Sequence, residues 1–249
     1  MIDAEDINIA LQTAKPLFNE LQNQYENLPP TRCRCQKPGV CCAYLPQMTL
    51  MEALQWVDIL QQLPDSKRID TLRSFMRFYL TNPVRHAGCP FLKQNACGIY
   101  KFRPFACRAY GLWSRRIGDR RTEQNRRERK SLLQQWKRLG LILPAEMVEL
   151  EIDYCDQVEC IPRPAVSDDE LIAILEEIYQ LDQNLPEHQK KFEEAYHSDF
   201  SFWMTTLVLG VRKSILVKFA VIKELVNQGS SKRLQNMLDK VTPEVLELP

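Results

Sequence analysis

Histidine is scarce in this 249-residue chain, with three residues, and so is glycine, with eight. Glycine at that level does not indicate low-complexity disorder. There is no phosphate-binding P-loop, GxGxxG turn, GxSxG elbow or HExxH helix, so none of the common nucleotide, hydrolase or zinc-protease motifs is available. Long apolar runs are also missing. The longest weakly charged run is Phe200 to Val211, 12 residues ending in Arg212-Lys213. A bilayer needs roughly 20, so no transmembrane segment is expected. The acidic opening Met1-Ile2-Asp3-Ala4-Glu5-Asp6 lacks the basic and apolar regions of a signal peptide. A reducing, cytoplasmic setting is therefore expected. A net charge of +1 carries no global argument for nucleic acid or membrane.

Against these absences stand nine cysteines, an odd count that cannot pair fully as disulfides. In a reducing compartment, clustered thiols mean metal or redox chemistry. Cys33, Cys35, Cys41 and Cys42 fall within ten residues, and Cys89, Cys97 and Cys107 within 19. Pro90 and Pro104 fix backbone beside the second group, and Gly98 permits a tight turn. Rigid turns carrying thiols suit a metal, because a loosely held ligand set loses entropy on binding. The two stretches read as halves of one site, or of two adjacent sites.

The rest of the chain reads as helix. Ile7, Leu11, Ala14, Phe18, Leu21, Tyr25 and Leu28 repeat at three and four positions, with Pro16 kinking or dividing the segment. Thr49-x-x-Glu52 is a capping box that opens a helix through Leu50, Leu54, Val57, Leu60 and Leu63. After Pro64-Asp65-Ser66, a second helix runs through Ile69, Leu72, Met76 and Tyr79. This hairpin lies between the two cysteine groups and would fold them together. Leu132, Leu133, Trp136 and Leu139 form a helix that Gly140 stops, and Pro144 opens a short one. Pro162-Arg163-Pro164 looks like a connector. Ser167-x-x-Glu170 is a second capping box. Pro186 begins another helix, and one long helix is expected from Trp203 to near Gly229, followed by a short one at Leu234 to Leu238. The expected fold is mainly α, with irregular cysteine-rich metal-binding loops packed on a helical scaffold. Residues 1–165 would form the metal-binding domain with flanking helices. Residues 166–249 would form a helical C-terminal region that packs on it and offers a surface for a protein partner.

Residues 113–130 hold eight cations (Arg115, Arg116, Arg120, Arg121, Arg126, Arg127, Arg129, Lys130) against three acids. An anion-binding surface is one reading of this stretch. A solvated loop and helix start is the better one, because aromatic interleaving is absent apart from Trp113. Nucleic acid is not the expected partner.

Zinc takes four N or S ligands, and an iron–sulfur cluster commonly takes four thiolates. Seven thiols exceed one such centre. Two centres, one centre with reactive thiols, or one centre with redundant neighbours all remain open. Successive side chains of extended chain point opposite ways, so Cys41 and Cys42 would serve different purposes unless the backbone turns sharply there. Cys155 and Cys160 fit ligand spacing and core packing equally well. His86, three residues before Cys89, is a further candidate ligand or proton relay. Arg103 and Arg108 flank the last thiol, where they would stabilise thiolate charge or bind loop carbonyls.

Cys89-Pro90-Phe91-Leu92, followed by Cys97-x-Ile99-Tyr100-x-x-Arg103-Pro104-x-x-Cys107-Arg108, resembles the second signature of the cysteine-cluster family named CxxCxxCC, a zinc- or iron-chelating domain. Gly39-Val40-Cys41-Cys42 resembles the end of its first signature, and Cys35 stands at that signature's first cysteine. Pro38 replaces the second cysteine, and Cys33 is the substitute ligand. The resemblance covers about residues 33 to 112. It implies a metal ion or cluster, zinc or a 4Fe-4S centre, held by Cys33, Cys35, Cys41, Cys42, Cys89, Cys97 and Cys107. One branch of the family includes flagellin lysine N-methylases, for which an iron–sulfur cluster has been suggested. Two function classes follow. One is a metalloenzyme acting on a protein or small-molecule substrate. The other is a structural zinc module whose helical surface binds a protein. Nearly histidine-free ligation tilts the reading toward iron–sulfur.

Overall fold

The computed structural model describes residues 2, 4–34, 40–43, 45–85, 88–148, 154–161 and 165–246. Cys35, Pro38, Gly39, His86, Leu150 and the connector at 162–164 lie outside the described residues. The fold is mainly α, as the periodicity indicates.

Helices α1 (Ala4–Ala14) and α2 (Phe18–Glu26) are one amphipathic segment interrupted by a 3-10 turn at Lys15–Leu17, where Pro16 removes a donor. Strand β1 (Thr31–Cys33) follows. Helices α3 (Leu50–Gln62) and α4 (Asp65–Thr81) form the expected hairpin. Thr49 and Glu52 complete both halves of the capping box. Strands β2 (Leu92–Lys93) and β3 (Ala96–Cys97) make a small antiparallel hairpin. Gln94 and Asn95 turn it with φ of 49° and 63°, the two positive angles a tight hairpin turn requires. Helices α5 (Phe105–Arg108), α6 (Arg115–Arg138) and α7 (Ala145–Val148) come next, then strand β4 (Val158–Cys160), antiparallel to β1. Helix α8 (Asp168–Asp182) starts at the second capping box, on Ser167 and Glu170. The chain continues through α9 (Pro186–Tyr196), α10 (Phe200–Leu209), α11 (Val211–Gln228) and α12 (Lys232–Leu238).

Three elements differ from the sequence expectation. The long helix over 203–229 is two helices. Gly210, at φ 75° and ψ 155°, separates α10 from α11 in a conformation that only glycine adopts readily. The basic stretch is not loop-led, because Ser114 caps α6 at once and accepts the Ile117 N–H. Among the described residues four very short strands also form; at two or three residues they are too brief to show alternation.

The core is one continuous apolar cluster running from Ile2 to Val241. At its centre α10 is buried on nearly every side, as expected of a helix with no polar face. Its hydroxyls are satisfied internally: Thr205 donates to the Ser201 carbonyl and Thr206 to that of Trp203, each at 2.7 Å. Helix α4 packs on α10, α11 and α12. Trp56, Phe75, Phe91 and Phe200 meet edge-on or tilted at 4.8 to 6.2 Å. Each such side chain contributes about 1.5–3 kcal/mol through burial. Phe91 belongs to the second cysteine stretch, so its burial pins that loop to the helices.

Candidate metal centre

Helix α3 is the platform on which the second cysteine stretch is mounted. Glu52 and Trp56 lie one turn apart on it and so share a face. The Trp56 indole Nε1 donates to the Phe102 carbonyl at 2.8 Å. The Glu52 carboxylate accepts the Phe105 N–H at 2.5 Å. These two bonds grip the chain on either side of Arg103-Pro104, and Phe105 opens the short helix that carries Cys107. Glu52 also accepts the Tyr25 hydroxyl at 2.7 Å and the Thr49 N–H at 3.0 Å. Its burial is offset by these donors, as a buried carboxylate requires. Asp182, at the end of α8, accepts the Leu50 and Met51 N–H groups at 2.9 and 2.8 Å, satisfying donors that the first turn of α3 leaves free.

Cys97 ends β3, and Cys89 stands three residues before β2. The Leu92 N–H bonds the Cys89 carbonyl and the Gly98 N–H bonds that of Phe91, both at 2.9 Å. The first cysteine stretch meets the second directly, because the Cys89 N–H donates to the Cys42 carbonyl at 2.6 Å. Cys41 and Cys42 lie in a 3-10 turn, Val40–Ala43. The extended-chain argument that would point them apart therefore does not apply, and their thiols hydrogen-bond to each other.

The sulfurs feel one another. The bond from Cys42 pulls the Cys41 thiol down to about 6, with the Arg103 charge adding to the effect. The same bond, burial and the nearby Cys89 and Cys107 push Cys42 up. Burial pushes Cys89 up to about 11, with Cys97 adding. Burial, Cys89 and Cys97 push Cys107 up to about 12, against Arg103. Deprotonating several of these thiols together is unfavourable unless a cation compensates. A donor set of sulfur alone fits a soft metal or cluster. Among the described residues no three His, Cys, Asp or Glu side chains stand close enough to hold an ion as placed, so closing a ligand shell takes side-chain rotation.

Both arginines bind loop carbonyls, Arg103 that of Tyr100 at 3.2 Å, and Arg103 also bears on the thiols. Arg108 binds carbonyls, those of Arg103 at 2.6 Å and of Lys101, with its guanidinium 4.1 Å over the Tyr25 ring. Arg103 lies over the Tyr100 ring at 3.7 Å, and its charge favours thiolate at Cys41 and Cys107. Beside Cys89 a cleft of about 480 Å³ opens between α4 and α12, lined by Asp70, Arg73, Arg77, Gly88, Cys89 and Asp239 among others.

Residues 34–131 match the family model CxxCxxCC, described as a putative zinc- or iron-chelating domain. That stretch of the chain is similar to the CxxCxxCC family. The CxxCxxCC region spans α3 to most of α6 and includes all five described thiols that gather at the α3 platform. It covers less than half the chain, and Cys33, Cys155 and Cys160 fall outside it. No curated protein and no solved structure gives a match.

Sequence reasoning missed Glu52 as a hub, together with Tyr25, Trp56 and Asp182. Glu52 was visible only as half of a capping box. Nothing in the sequence near Tyr25 or Asp182 signals a contact with α3. Cys33 and Cys160 lie on the β1–β4 ribbon rather than on the α3 platform, and Cys155 just precedes β4.

Proposed function

We propose that the chain holds an iron–sulfur cluster on four thiolates drawn from Cys35, Cys41, Cys42, Cys89, Cys97 and Cys107, and that this centre acts on a substrate. The observation that carries the reading is the 2.6 Å bond from the Cys89 N–H to the Cys42 carbonyl, which ties the two cysteine stretches backbone to backbone. The thiols on either side of that bond perturb one another's ionisation. Sulfur-only donation supports a cluster. When bound, the cluster supplies one-electron chemistry. The protein supplies burial, the Arg103 cation against the thiolate charge, and a hydrogen-bonded frame through Glu52 and Trp56. The cleft beside Cys89 supports action on a substrate, because it leaves room for a molecule next to that cysteine. Its two arginines and two aspartates suit a protein or small-molecule substrate carrying both charge signs.

Anaerobic purification followed by visible absorption, iron and sulfide analysis and Mössbauer spectroscopy tests the cluster. A brown protein with iron and sulfide in matching amounts is expected. A colourless protein with stoichiometric zinc would overturn it in favour of a structural zinc module. Cys97→Ser and Cys107→Ser should each lower metal content and melting temperature. Full metal in both variants would remove these residues from the ligand set.

A further inference from the structure

We infer that Cys33, Cys155 and Cys160 form a second thiol site, for a soft divalent cation such as zinc. The argument rests on the register of the β1–β4 ribbon, where Thr31 faces Cys160 and Cys33 faces Val158. Facing residues share a side of the ribbon, and so do alternate residues along one strand. Thr31, Cys33, Val158 and Cys160 therefore line one face. The Arg34 N–H bonds the Gln157 carbonyl and the Ile161 N–H bonds that of Pro30, each at 2.8 Å. Cys33 and Val158 thus form the pair between these bonds, the kind whose side chains approach most closely. The third thiol reaches the same face through Gly111. A Cβ on Gly111 would lie 2.6 Å from Val158 Cγ2 and 3.4 Å from the Cys155 sulfur. With no side chain and φ +82°, Gly111 leaves space that Val158 and Cys155 fill together.

These thiols are not core hydrophobes: Cys33 is exposed, and Cys155 and Cys160 are half-buried. A direct Cys33–Cys160 disulfide is disfavoured, since diagonal strand positions are about 7–8 Å apart and disulfide Cα atoms usually lie about 4.4–6.8 Å apart. A cation bonded to each sulfur at about 2.3 Å spans a wider gap after side-chain rotation. A cleft of about 600 Å³, lined by Gly111, Tyr154, Val158 and Cys160 among others, gives an ion entry. Three thiolates and a water complete a four-coordinate shell. The inference does not depend on the identity of the metal at the α3 platform.

The test is a titration of the reduced full-length chain with zinc alone, read against a chromophoric chelator and by mass spectrometry after alkylation. Cys155→Ser/Cys160→Ser should bind one equivalent fewer than the unaltered chain. Cys97→Ser/Cys107→Ser should retain that equivalent. In the unaltered chain, zinc should slow alkylation of Cys33, Cys155 and Cys160 together. Equal zinc binding by the Cys155/Cys160 variant would overturn the site, as would alkylation of the three thiols that is indifferent to zinc. A disulfide forming among the three in air while zinc binding stays unchanged would also overturn it. If circular dichroism shows that the variant does not fold, the alkylation pattern of the unaltered chain decides alone.

Discussion

Glu52 is the single side chain on which most of the metal-site frame hangs. Its two oxygens serve the N-terminus of α3, the start of α5 and the hydroxyl of Tyr25. Burial raises its carboxyl, and the three donors oppose that rise. Glutamine in its place has one acceptor oxygen, so one donor loses its partner inside the protein. An unsatisfied buried donor costs about 1–3 kcal/mol. Glu52→Gln should lower unfolding stability by about that amount in urea melts. Half of this role was legible in Thr49-x-x-Glu52, since a capping box is local. The other half was not, because Phe105 lies 53 residues away and Tyr25 27.

Among the elements, α3 is held at its N-terminus by a residue from α8. Burial pushes the Asp182 carboxyl from 3.8 up to about 7, against its two N–H donors. Between about pH 4 and pH 7 the folded chain keeps a proton that the unfolded chain has released. The contribution of Asp182 to stability is therefore full below about pH 4, falls as pH rises through that window, and is flat above it. Asp182→Asn removes this slope while losing one acceptor. Denaturant melts from pH 4 to pH 8 should show the stability gap to the unaltered protein largest at pH 4 and narrowing upward. The α10–α11 junction supplies a second expectation. A methyl at Gly210 meets no atom within 4 Å, so any cost is in the backbone. Gly210→Ala should destabilise by about 1–3 kcal/mol, read as a lower melting temperature. Periodicity alone carried the apolar stripe straight through this position, because a hydrophobic pattern does not register one residue's dihedral angles.

Across the whole molecule, the core and the metal-site frame share residues, whereas the basic helix joins the core chiefly through Trp136, stacked on Phe219. Trp136 is the only residue of α6 that is buried among those described. Much of its charge is met locally, with Glu123 pairing Arg126 and Arg127 at 3.0 Å and Arg121 lying 4.1 Å over Trp113. Neutralising Arg115, Arg116, Arg120 and Arg121 together should leave metal content unchanged in elemental analysis. Loss of metal would place α6 in the site. No helix among the described residues is long and apolar enough to cross a membrane. The sequence by itself determined the helical class, both capping boxes, the helical hairpin and the cysteine stretches, since caps, periodicity and turn residues act within a few positions. Only the tertiary structure decided that Cys42 bonds Cys89, that Glu52 and Trp56 hold the Cys107 helix, and that β1 pairs with β4. Those contacts join residues tens to more than a hundred positions apart. They form because burying the aromatic core brings the segments together, and short-range pattern carries no record of which distant partner arrives.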